Sequence, residues 1–170
     1  MKIELKKISF NERMSEETNC FVADLHIDGK KVGYVKNDGH GGQTDCRGYT
    51  KEDYQVITKA EAYCKTLPKV KHGNMEWEQS LEDVIDGLFE DWLMAKINAK
   101  AEKQKQKLME TAIIISKPDG VGYIYFKQKR KLADFPVNVL QPFIDGLKAK
   151  HCTGGQVILN TNLTELGLNV

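Results

Sequence analysis

Apolar and polar residues alternate through the first fifty positions with the two-residue period of half-buried strands. Ile3, Leu5, Ile8 and Phe10 form one such set, provided the chain slips by a residue at Lys6-Lys7. Asn11 to Asn19 is polar and reads as a loop. Phe21, Ala23, Leu25 and Ile27 share a face, with Val22, Asp24 and His26 opposite. Asp28-Gly29 then separates that strand from a return strand over Lys31 to Lys36, because a type I′ turn needs positive φ at both central positions. From Thr50 the period becomes helical. Thr50 is placed to cap, Asp53 to reach back to it, and Tyr54, Ile57, Ala60, Glu61 and Cys64 to pack one stripe on the sheet. This helix is predicted to end near Leu67, before Pro68.

A second, longer helix is predicted from Ser80, with Asp83 as its capping acid and Leu81, Val84, Ile85, Leu88, Phe89, Trp92 and Leu93 as its apolar face. Beyond Ile97 the face fades, but helix formers continue to Met109. Residues 76 to 91 hold seven acids and no Lys or Arg, whereas residues 96 to 107 hold five lysines and one glutamate. That order suits the helix dipole. The second half repeats the hairpin theme: Thr111 to Ser116 is a buried-looking strand, Pro118-Asp119-Gly120 a turn, and Val121 to Lys127 a return strand. A helix over Pro142 to Lys150, with Phe143, Ile144 and Leu147 inward, ends at Cys152 to Gly155. Gln156 to Leu159 reads as a last strand, and Asn162 and Glu165 as caps of a final turn. The order is α+β, with hairpin and meander units packed on helices. It divides into a β-meander plus helix (1–74), a connecting helix (75–110) and a ββαβ unit (111–170), or forms one compact domain.

Composition narrows the function classes. The chain has 170 residues, 41% hydrophobic and 29% charged, as in ordinary folded proteins. Lys and Arg number 25 against 24 Asp and Glu, a net charge of +1, so nucleic-acid binding would have to rest on a local patch. The first ten residues alternate in charge and do not read as a signal peptide, and no apolar run is long enough to span a bilayer. Cys20, Cys46, Cys64 and Cys152 are widely spaced, as expected of reduced thiols in a cytoplasmic protein.

Two places offer candidate chemistry. In NDGHGGQTD, residues 37 to 45, Gly39, Gly41 and Gly42 could turn backbone N–H groups toward one anion, with His40, Gln43 and Thr44 adding donors and the Thr50 helix start nearby. The loop matches neither GxxxxGK[ST] nor GxGxxG, and glycines at a strand exit also answer a need for positive φ. The second place is Lys127, Lys129, Arg130 and Lys131, beside Tyr123, Tyr125 and Phe126, with Lys100, Lys103, Lys105 and Lys107 on the long helix. Lysines bind phosphate backbones and aromatics stack on bases. No spacing of His40, Cys46, His72, His151 and Cys152 matches a zinc module, so no metal and no cofactor is expected. No nucleophile pattern occurs either, and an enzyme is the least supported class.

The stretch FVADLHIDGKKVGYVKNDGHGGQTD, residues 21 to 45, resembles small proteins encoded by bacteriophages and mobile elements. That resemblance implies a compact accessory protein that binds and blocks a host factor, or one that sequesters a nucleotide signal. The expectation is therefore a non-enzymatic binding protein engaging a host protein. A small phosphate-bearing ligand at Gly39 to Thr44 and nucleic acid at Lys127 to Lys131 are the alternatives. A homo-oligomer is compatible with the long helix, and no membrane partner is expected.

Overall fold

The computed structural model describes residues 1–73 and 75–169; the expected boundary at residue 74 lies outside them. The fold is α+β, and the chain divides into two compact units, Met1–Lys96 and Ile97–Val170.

The first unit is built on a four-stranded antiparallel meander in the order β1 (Ile3–Phe10), β2 (Phe21–Ile27), β3 (Lys30–Asn37) and β4 (Asp45–Gly48). The slip expected in β1 is present. Register shifts between Lys6 and Ser9, Lys7 takes φ +51°, and Ile3, Leu5, Ile8 and Phe10 all reach the core. Asp28 and Gly29 have φ +49° and +82°, the two positive values that a type I′ turn demands. The polar segment after β1 contains one short 3-10 turn, Glu12–Met14. A hairpin, β5 (Val70–His72) with β6 (Met75–Trp77), occupies the stretch between the two predicted helices, to which the sequence pattern assigns no element.

Helix α1 (Lys51–Cys64) starts at the expected capping box: Thr50 Oγ1 accepts from the Asp53 amide, and Asp53 accepts from the Thr50 amide. Its buried stripe is Asp53, Ala60 and Cys64, with Ile57 partly buried. Tyr54, expected inward, is exposed, because it lies a sixth-turn or more round the helix from that stripe. Helix α2 (Leu81–Met109) begins after Ser80, whose hydroxyl and amide both donate to Asp83. Leu81, Ile85 and Phe89 from α2 join Ala60 and Cys64 from α1 beneath the buried face of β2 and β3. Phe21 and Phe89 stack with centroids 4.0 Å apart at the centre of this core. Truncating Phe89 to Ala would cost about 3–5 kcal/mol.

The second unit contains the hairpin β7 (Ala112–Ser116) and β8 (Tyr123–Lys127) and helix α3 (Val137–His151). Ile113, Ile115, Leu132, Leu140, Ile144, Leu147, Leu163 and Leu168 form its core. The helix begins five residues earlier than the sequence reading placed it. Pro136 sits at the N-cap, so Pro142 falls inside the helix at an exposed position rather than opening it. Phe143, expected inward, is partly exposed, because the buried stripe is Leu140, Ile144 and Leu147. The last strand expected at Gln156 to Leu159 is reduced to a single bridge, Ile158 to Ile115. Asn162 does not cap the final turn; its Nδ2 donates to the Met109 carbonyl.

Candidate functional site

The glycine loop closes the β3–β4 hairpin, with Lys36 paired to Asp45, so it turns into a strand and not into the Thr50 helix. One buried side chain organises it. Asn37 Oδ1 accepts from the Gly39 amide at 2.9 Å and from Thr18 Oγ1 at 2.8 Å. Its Nδ2 donates to the Gly42 carbonyl and to Thr44 Oγ1, both at 3.1 Å. The Gly41 amide donates to Thr18 Oγ1, and the Gly39 carbonyl accepts from the amides of Glu16, Glu17 and Thr18. Gly39 holds φ +86°, and a Cβ there would stand 2.1 Å from the Met14 carbonyl oxygen. Glycine is required by conformation and space together.

Helix α2 supplies the other side of the loop. The Thr44 amide donates to Glu82 Oε1 at 2.8 Å, and Thr44 Oγ1 donates to Asp86 Oδ1 at 2.7 Å. Beside these bonds lies a cavity of about 290 Å³, bordered by Phe21, Phe89 and four carboxylates, Glu17, Glu82, Asp86 and Glu90. Burial raises the Asp86 carboxyl above its ordinary range, with Glu82, Glu90 and Asp83 adding to the shift and the Thr44 hydroxyl opposing it. His40 points to Glu16, with Nδ1 to Oε2 at 3.3 Å, and Gln43 is exposed. The six candidate residues Gly39 to Thr44 are thus held together, but three of the N–H groups needed to receive an anion, those of Gly39, Gly41 and Thr44, are already engaged. The surrounding charge is negative, which disfavours phosphate.

Two of these carboxylates, Glu82 and Asp86, also bear on the Cys46 thiol of β4. Burial first, then Glu82, Glu61, Asp86 and Asp45, push Cys46 up to about 12, which leaves almost no thiolate nucleophile near neutral pH.

The second candidate, at β8, is arranged differently. The Gln128 amide donates to the Thr111 carbonyl and the Lys117 amide to that of Gly122. In an antiparallel ladder this fixes the alternation: Gly122, Ile124, Phe126 and Gln128 bond inward to β7, while Tyr123, Tyr125 and Lys127 turn their N–H and C=O groups outward. The equivalent outward groups of β7 are sealed. Ser116 N–H meets the Val157 carbonyl, the Ile114 carbonyl meets Leu159 N–H, and Asn160 bonds both Ile114 N–H and the Ala112 carbonyl. Among the described residues no strand seals the outer edge of β8.

Around that edge Val121 is 74% and Tyr125 54% exposed, and Tyr123 and Ile124 are also exposed. Tyr123 shares a groove of about 450 Å³ with Asn98, Ala101 and Lys105 of α2. Of the basic cluster, Arg130 lies 4.7 Å over the Phe135 ring and Lys131 pairs with Glu110 at 3.1 Å. Among the described residues Lys127 and Lys129 have no ion-pair partner. The unit Ile97–Val170 carries eleven Lys and Arg against six Asp and Glu, net +5; Met1–Lys96 carries fourteen against eighteen, net −4. The overall +1 therefore conceals two units of opposite sign.

Sequence reasoning missed Asn37, Asn160 and the α2 carboxylates as parts of these places. The i, i+4 spacing of Glu82 and Asp86 was a signal that both lie on one helix face, though not which loop they meet. Among the described residues no helix is long and apolar enough to cross a membrane. No family model, curated protein or solved structure matches the chain.

Proposed function

We propose that this chain is a non-enzymatic binding protein that occupies and blocks a partner protein. The observation that carries the reading is the outer strand β8, where Tyr123, Ile124 and Tyr125 stand exposed on a strand with an unsealed edge and Val121 is exposed in the bend before it. Exposed aromatics with adjacent apolar side chains are the anchors from which protein interfaces are made. The resemblance of residues 21 to 45 to accessory proteins of phages and mobile elements makes the partner a protein of the host cell. The half-buried Cys46 thiol, kept protonated by desolvation and by the carboxylates around it, argues against a nucleophile at that residue.

A second reading has its own observation. Tyr123, Tyr125 and Lys127 alternate along one face of β8 in a unit of net charge +5, the pairing of stacking rings and cations that single-stranded nucleic acids use.

The test compares immobilised wild-type protein with a Tyr123→Ser/Tyr125→Ser variant. Stoichiometric retention of one protein by the wild type, lost in the variant, supports the first reading. Retention of nucleic acid alone, falling steeply with salt, supports the second and overturns the first.

A further inference from the structure

We propose that the outer edge of β8 is a docking site for an extended acidic segment of the partner, which adds to the sheet as a further strand. This rests on the reading of the chain as a protein-binding protein and specifies how it binds.

The two edges of the hairpin have opposite fates. β7 is closed by the chain itself, through Val157, Leu159 and the side chain of Asn160. On β8 the N–H and C=O groups of Tyr123, Tyr125 and Lys127 face outward in a row. Folded proteins ordinarily blunt such a row with proline, lysine or another charged side chain, a bulge or a very short strand, because it is a template for another chain. β8 contains no proline and pairs with β7 in continuous register from Tyr123 to Lys127. Its exposed side chains are apolar or aromatic until Lys127.

Charge selects the occupant. Lys127 and Lys129 lack ion-pair partners among the described residues, and their unit is net +5, so the favoured segment is acidic. Side-chain alternation refines this. Residues flanking Tyr123, Tyr125 and Lys127 meet cationic and aromatic groups, while those on the other face meet Ile124, so glutamate or aspartate alternating with an aliphatic residue fits best. A second copy pairing edge to edge would bring two units of +5 together, which disfavours self-association here. A nucleic-acid strand would use the lysines and rings but leave the row of backbone donors and acceptors unmatched.

The probe is a fluorescein-labelled ten-residue peptide of alternating glutamate and valine, titrated with the full chain and read by fluorescence anisotropy. Saturable binding is expected, with a lysine-valine peptide binding more weakly. Tyr125→Pro removes an outward N–H that no internal bond uses, at an edge position where proline is tolerated. It is expected to weaken binding about tenfold, the equivalent of one net hydrogen bond. Lys127→Glu/Lys129→Glu is expected to abolish binding, and it decides the matter should Tyr125→Pro lose its native circular dichroism. Equal binding by folded variants, no peptide binding, or tighter binding of a labelled twelve-residue oligothymidylate would each overturn strand addition. If strand addition fails while the wild type still retains a stoichiometric protein, the broader binding reading stands. If no protein is retained either, both fall.

Discussion

Ile114 and Tyr125 face each other across the β7–β8 hairpin, yet the first is wholly buried and the second 54% exposed. The difference lies beyond the pair. The outward N–H of Ile114 donates to Asn160 Oδ1 at 2.7 Å, and the Asn160 amide donates to the Ala112 carbonyl at 2.8 Å. Asn160 acts as a side-chain substitute for a neighbouring strand. Asn160→Ala leaves a buried N–H and a buried carbonyl unpaired and is expected to destabilise the protein by about 2–3 kcal/mol. Urea denaturation followed by circular dichroism checks this; a loss within error of zero would mean that water replaces the amide.

The glycines of the opening loop should not be equivalent. Gly39→Ala places a Cβ against the Met14 carbonyl at a positive φ and should cost more than about 2 kcal/mol. Gly42→Ala meets nothing within 4 Å and has no positive φ, so it should lie within about 0.5 kcal/mol of wild type. Thermal melts of the two variants make the comparison. Equal, large losses would show that the loop needs glycine throughout.

Asp86 is the acid whose ionisation opposes folding. Its folded pKa is raised, so the folded state binds the proton more tightly than the unfolded chain. Its contribution to stability therefore falls as pH rises from the unfolded value near 3.8 through the raised folded value. Asp86→Asn keeps an oxygen to accept from Thr44 Oγ1 and removes the charge. It should raise stability at pH 7 by up to about 1 kcal/mol, a figure limited by solvent screening, with the gain vanishing below the unfolded pKa. Melting temperatures of both proteins across pH 3 to 8 test the sign; a variant less stable at pH 7 would contradict it.

Cys46 should be a slow thiol. With its pKa pushed up to about 12, it should react with iodoacetamide at pH 8 far more slowly than in denatured protein. Peptide mass mapping after timed labelling reads the rate at that residue. Labelling as fast as in urea would place the thiol in water and away from Glu82 and Asp86.

Much of the fold was legible because its signals are local. The Asp28-Gly29 turn, the slip in β1, both capping boxes and the α2 span each follow from a few adjacent residues. The misplaced features depend on contacts distant in sequence. β4 is short and has a Gly-Gln-Thr approach with no alternation to betray it, and the 157–159 segment owes its bridge to β7 more than to its own pattern. Tyr54 and Phe143 were placed inward on hydrophobicity, one position off the stripe that the helix buries. At the glycine loop the residue types were visible, but their meaning lay in Glu82 and Asp86, thirty-eight and forty-two residues on. The basic cluster was likewise visible, while the edge beside it emerged only from hydrogen-bond parity across the hairpin.

The most direct measurement is amide hydrogen exchange along β8, resolved by residue with NMR, in the free protein and with the glutamate-valine peptide at saturation. Alternation is expected in the free protein: Ile124, Phe126 and Gln128 protected, Tyr123, Tyr125 and Lys127 fast, and the fast set slowed by the peptide. Equal protection of Tyr123, Tyr125 and Ile124 in the free protein would show that the edge is already sealed, and would contradict a docking strand.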